Sequence, residues 1–118
     1  MDGKLSEREW QKQVETHLTI FGWWWMHIPP NVVVCPRCHT KIYRGIRKGF
    51  VDIWAIKPPY MLWLELKTER GQLEPEQREL IDLLRACGQT VLHARPRDRA
   101  AVLELITHPE RRPPHVDD

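Results

Sequence analysis

Charge imbalance is nearly absent from this 118-residue chain: 18 basic and 16 acidic side chains leave +2. Any nucleic-acid footprint must therefore be local, not spread over the whole surface. No apolar run reaches the length of a bilayer span, and no signal peptide precedes the first expected helix, so neither membrane insertion nor export is expected. Cysteines are few and odd in number, three, which fits a reducing, cytoplasmic compartment better than a disulfide scaffold. Internal repeats and low-complexity segments are missing as well. Disorder is excluded by what is present, 42% hydrophobic residues and six tryptophans. The length suits one core and not two, so a single domain over residues 1–108 is expected, with a loose tail at 109–118.

The densest apolar stretch runs from Gly49 to Lys67. Two aromatic-rich runs flank Lys57-Pro58-Pro59-Tyr60, which reads as an antiparallel hairpin with the prolines at its tip. Facing residues then have numbers summing to 117, so Trp54 faces Trp63 and Asp52 faces Glu65. Facing Cβ atoms lie about 5 Å apart, where like charges repel. Lys67, two residues beyond Glu65, points to the same face. Val51, Ile53, Leu62, Leu64 and Leu66 have core composition and take the other. Two carboxylates and an amine thus converge at one end of the hairpin. A hard divalent cation such as Mg²⁺, held by one or two carboxylates with water and phosphate, would relieve the repulsion. A structural ion pair between Lys67 and either acid is the plainer alternative.

Asp52 followed by Glu65-Leu66-Lys67 resembles the motif of the PD-(D/E)xK nucleases. The flanking text, Gly45-Ile-Arg-Lys-Gly49-Phe-Val-Asp52, Glu65-Leu-Lys-Thr-Glu-Arg-Gly71 and Leu73-Glu-Pro-Glu-Gln77, is similar to the VRR-NUC domain, the virus-type replication-repair nuclease, from about Ser6 to Ile106. Val51 departs from it, standing where the family usually has proline. The resemblance implies Mg²⁺ or Mn²⁺ on Asp52, Glu65 and the Leu66 backbone carbonyl, with Glu7 reaching the ion through water. It further implies that Gln77 holds Lys67, and that a stand-alone domain works as a two-fold dimer on branched DNA, as Holliday-junction resolvases do. If the chain is viral, the compartment is the host cytoplasm.

Ser6 and Glu9 spell a capping box, opening a helix that runs to about Phe21 and stops at Gly22, with Trp10, Val14, Leu18 and Phe21 on its buried stripe. Glu7 lies beside that stripe; an acid there also suits the helix dipole. Trp23–Ile28 reads as a strand, mostly core, with base stacking as the sharper alternative. His27-Ile-Pro-Pro-Asn31 resembles the family's stretch before the catalytic loop, which implies that His27 lies near the site; a hydrogen-bonded strand histidine is the plainer alternative.

Residues 32–44 look like an insertion. Cys35-Pro-Arg-Cys38-His39 carries half of a zinc site, with Cys35, Cys38 and His39 as candidate ligands and the remainder supplied by His27 or a partner chain. A redox pair and haem attachment are the competing readings, the latter needing an exported protein. Arg37, Lys41, Arg44, Arg47 and Lys48 form a basic run without an acid among them, leading into Asp52, and are expected to contact DNA phosphates.

Pro75 opens a helix to about Cys87, stopped by Gly88. Leu73, Gln77, Leu80, Leu84 and Cys87 fall on one face, with Cys87 read as a small core residue. A strand over Gln89–Ala94 and a helix over Arg99–Ile106 complete an α/β fold with a mixed central sheet flanked by helices, which the resemblance refines to a restriction-endonuclease-like core. The function expected is metal-dependent hydrolysis of DNA phosphodiester bonds. A non-catalytic DNA-binding or assembly module and a small zinc-binding adaptor are the alternatives.

Overall fold

A computed structural model describes residues 5–28, 32–43 and 51–111, the side chains of residues 32, 33, 42 and 43 excepted. The first helix, α1, spans Glu7–Ile20. Its capping box forms as the sequence requires: Ser6 Oγ accepts from Glu9 N–H at 3.1 Å, and Glu9 Oε1 accepts from Ser6 N–H at 3.0 Å. Gly22, at φ 80°, ends the turn beyond it in the left-handed region that glycine tolerates.

The main sheet contains β1 (Trp24–His27), β4 (Ile53–Lys57), β5 (Tyr60–Leu66) and β6 (Thr90–Ala94), in that order. β1 and β5 flank β4 antiparallel, while β6 joins β5 in parallel. The parallel step is made by α2 (Pro75–Ala86), whose end is marked by Gly88, also at φ 80°. Helix α3 (Arg99–Thr107) follows β6 through one turn of 3₁₀ helix, Pro96–Asp98. A second sheet, unexpected from the sequence, pairs β2 (Val32–Val34) with β3 (Lys41–Tyr43). No helix among the described residues is long and apolar enough to cross a membrane.

The hairpin has the expected register, with Ile53 opposite Leu64, Trp54 opposite Trp63 and Lys57 opposite Tyr60. Ile53, Ala55, Leu62, Leu64 and Leu66 are buried on one face. There they meet Trp10, Val14 and Leu18 of α1 and Val102, Leu105 and Ile106 of α3. Truncating a fully buried leucine such as Leu64 to alanine costs about 2–5 kcal/mol by lost transfer and the cavity left behind. The other face is covered over Trp63 and Val91 by Ile81, Leu80 and Leu84 of α2.

Two expectations about packing are corrected. Val51 packs with Ile81 and Val91 and not with Leu62 and Leu64; it lies outside the β4 ladder, where strict alternation no longer binds it. Cys87 is exposed, because Ile81 is the fully buried residue of α2, which turns the end of the helix outward. Three adjacent tryptophans on a strand cannot all face one way, and they diverge: Trp23 is buried with its indole N–H on Ile106 O (2.9 Å), whereas Trp24 is 55% exposed. At the C-terminal end, Pro109 is buried and Arg111 lies 3.6 Å from Glu104, so the expected tail is tied down at its start; residues 112–118 lie outside the described chain.

Candidate active site

Asp52 precedes β4 and is fixed there by main chain. Its N–H donates to Leu64 O (3.0 Å), its carbonyl accepts from Ile28 N–H (2.7 Å), and its Oδ2 accepts from Leu66 N–H at 2.9 Å. Ordering Asp52 and Leu66 against each other brings the end of β4 to the end of β5. Glu65, the penultimate residue of β5, is 1% exposed. Burying a carboxylate is costly without partners, and its two oxygens are treated unequally. Oε2 accepts from Gln77 Nε2 (3.1 Å) and lies 3.5 Å from Lys67 Nζ. Oε1 is buried with no hydrogen-bond partner among the described residues.

The electrostatics follow from this crowding. Burial first, then the charge of Asp52, pushes the Glu65 carboxyl up to about 8 against the opposing pull of Lys67. Burial also raises Asp52, with Leu66 N–H and Lys67 opposing and the charge of Glu7 adding to the rise. Glu7, in the exposed first turn of α1, acts on both carboxyls. His27, at the end of β1, acts on Asp52 in the opposite sense. The structure therefore brings together Asp52, Glu65, Lys67 and Gln77, with Glu7 and His27 at electrostatic range.

Gln77 stands beside the acid, where the resemblance puts it, but does not hold Lys67. Its amide nitrogen binds Glu65, not Lys67, because its Oε1 is committed to Glu74 N–H (2.8 Å) at the start of α2. The helix N-terminus orients the amide, and the amide then orients the acid.

Two residues near the site were not anticipated. Arg95, 8% exposed at the end of β6, donates from Nη1 to the carbonyls of Thr68 and Gly71, tying down the loop that follows Lys67. Its signal was the Arg95-Pro96-Arg97-Asp98 sequence, in which Asp98 Oδ2 accepts from Arg95 N–H at 2.9 Å. His93, fully buried, stands in register with Glu65 across the parallel β5–β6 step. A histidine inside the apolar run Val91-Leu92-His93-Ala94 was the clue.

Among the described residues no group of three or more His, Cys, Asp and Glu side chains is placed to hold a metal ion. What Asp52 and Glu65 offer is two carboxylates, one with a buried oxygen lacking a partner. That is an all-oxygen donor set, suited to a hard cation that keeps much of its own water. The Leu66 carbonyl belongs to the same strand end.

Of the expected DNA contacts, Arg37 and Lys41 are exposed on the β2–β3 hairpin; Arg44, Arg47 and Lys48 lie outside the described residues. Cys35, Cys38 and His39 occupy that hairpin's turn and do not join the Asp52–Glu65 cluster. The Cys38 thiol is held below its ordinary value, chiefly by the Thr40 hydroxyl at 3.0 Å and then by the Thr40 backbone. No family model, no curated protein and no solved structure matches this chain.

Proposed function

We propose that this protein is a divalent-metal-dependent nuclease of the VRR-NUC type, with a restriction-endonuclease-like core, that hydrolyses DNA phosphodiester bonds and prefers branched substrates. The observation that carries the reading is the convergence of Asp52, Glu65 and Lys67 at one strand end, with Glu65 Oε1 buried and lacking a partner among the described residues. A purely structural ion pair would leave no such oxygen, since buried polar atoms are almost always satisfied.

Asp52 and Glu65 would hold Mg²⁺ or Mn²⁺, with the Leu66 carbonyl as a third donor and Glu7 acting through water. When bound, such a cation supplies Lewis acidity to a phosphate oxygen and to water. Lys67, 15% exposed and 3.5 Å from Glu65, presents its ammonium beside the acids, where it orients the attacking water and stabilises charge building on the phosphate. Leu66 N–H keeps Asp52 from rotating, and Gln77 does the same for Glu65. Arg95 fixes the loop behind Lys67. Arg37 and Lys41 offer cations for phosphates outside the reacting group.

The test is cleavage of labelled duplex, flap, nicked and four-way-junction DNA by purified protein with Mg²⁺, Mn²⁺ or chelator. Metal-dependent cutting that disappears in Asp52→Asn supports the assignment. Absence of cutting on every substrate with both metals overturns it, and equal cutting of linear and branched DNA overturns the structural preference.

A further inference from the structure

Apart from the phosphate contacts proposed for Arg37 and Lys41, the β2–β3 hairpin takes no part in the site above. It pairs with no strand of the main sheet, and its turn holds Cys35, partly exposed, and Cys38, exposed, as free thiols. The turn is tightly specified. Cys35 N–H donates to Thr40 O and His39 N–H to Cys35 O, each at 2.9 Å. His39 adopts φ 60°, a left-handed conformation that few residues other than glycine take up. The Cys38 thiol donates to Thr40 Oγ1 at 3.0 Å, and the neighbouring Cys35 side chain helps to lower its pKa. Two cysteine thiols thus share one turn at the hairpin tip, on a backbone already closed around them.

Structural zinc takes four ligands in tetrahedral geometry, commonly four thiolates. This tip supplies two. Among the described residues no group of three or more His, Cys, Asp and Glu completes the set, and the remaining cysteine, Cys87, caps α2 in the main body. We propose that Cys35 and Cys38 form half of a tetrathiolate zinc site and that a second copy of this chain supplies the other half, joining two hairpins tip to tip around one Zn²⁺. The charges agree. Arg37 and Lys41 are exposed on the hairpin, so two bare tips repel. Four thiolates around one Zn²⁺ carry net negative charge, which these cations offset. On binding, Zn²⁺ displaces the thiol protons to solvent, so assembly strengthens as pH rises. The inference does not depend on the nuclease reading, because it uses none of the carboxylates.

The experiment uses the full chain, reduced, stripped of metal and titrated with Zn²⁺ alone. The expected result is saturation at about half a zinc per chain together with a monomer-to-dimer shift in sedimentation. Chelation reverses both, and added Zn²⁺ restores them. Co²⁺ in place of Zn²⁺ gives a tetrahedral thiolate spectrum that also saturates at half an equivalent. Cys35→Ser and Cys38→Ser each abolish the zinc-dependent dimer, whereas Cys87→Ser retains it. Melting of each variant reports whether the main sheet has formed, and if a variant fails to fold, the chelator titration on the unsubstituted chain decides alone. One zinc per chain on a monomer, zinc retained after Cys35→Ser, no zinc bound, or a dimer that survives complete zinc removal would each overturn the proposal.

Discussion

Asp52, half-buried and anchored by main-chain hydrogen bonds, and Glu65, buried and held by Gln77, sit at the end of a four-stranded sheet. Cys35 and Cys38 sit on a two-stranded hairpin that pairs only with itself, sulfur-bearing and open to solvent. The two places differ in what they ask of a partner. At the sheet the scaffold is complete and the demand is for charge, since two carboxyls are forced together at a cost in pKa. At the hairpin the backbone is preformed and, on the zinc reading proposed above, two of the four ligands would come from a second copy. Burial in one case and exposure in the other are what lead us to propose a reaction at the first and a contact with a second copy at the other.

The contrast is most sharply tested at the sheet. Asp52→Asn, Glu65→Gln and Lys67→Ala should each lower cleavage by about 100-fold or more, the size expected when a preorganised charge is removed from a transition state. Melting should show the fold retained, and DNA binding should survive Lys67→Ala. A variant keeping above about one tenth of the activity, a barrier change of only ~1.4 kcal/mol, would remove that residue from the site.

Gln77→Ala comes next, with an expected loss of about 10- to 100-fold, the range for groups that orient a metal ligand. Because Gln77 acts through Glu65, the loss should appear largely as a raised Mg²⁺ requirement. An unchanged Mg²⁺ dependence would reduce Gln77 to a helix-capping role.

Protonation separates the regions further. Glu65 titrates near 8 in the folded chain against an ordinary 4.5, so between those values the native state holds a proton that the unfolded chain has shed. Stability then falls as pH rises through that window, by up to ~1.4 kcal/mol per pH unit for one group. Asp52, also raised, acts in the same direction. Metal-free protein should melt lower at the alkaline end, Mg²⁺ should restore it, and Glu65→Gln should flatten the profile. A flat profile in the unsubstituted protein would mean that the carboxyls are not crowded. The smallest effect belongs to the hairpin's cations: Arg37→Ala and Lys41→Ala should each reduce the salt dependence of DNA binding by about one unit of slope while leaving substrate preference unchanged. Salt slopes identical to the unsubstituted chain would take this hairpin out of DNA contact.

Much of the sheet was legible because its code is local. Alternation between Ile53 and Leu66, with two prolines at the tip, favours the register found, and that register makes Asp52 and Glu65 neighbours. The capping box at Ser6 and the glycines at positions 22 and 88 fixed helix ends in the same way. What escaped depended on competition between partners. Gln77 had two acceptors in view, and the helix N-terminus claimed the oxygen that would have decided its orientation. Cys87 was assigned inward on helical spacing, yet Ile81 shows that the buried line of α2 runs a quarter-turn away. The β2–β3 strands, three residues each, are too short for periodicity to register. Arg95 and His93 came into reach of the site only through the parallel β5–β6 step, a long-range pairing that no local window contains.

The hairpin also carries an optical gauge of its own alignment. Trp54 and Trp63, opposite each other in the ladder, stack with centroids 5.2 Å apart and planes within 8°, and Trp24 meets Trp54 edge-on at 5.9 Å. Parallel indoles this close couple their electronic transitions, so the near-ultraviolet dichroism of the chain should contain a signal that belongs to the pair and not to either ring. A shift of one residue would send one tryptophan to the opposite face and separate Asp52 from Glu65 in the same movement. Refolding followed by that signal would therefore report, without any added label, the moment at which the two carboxylates are first forced together.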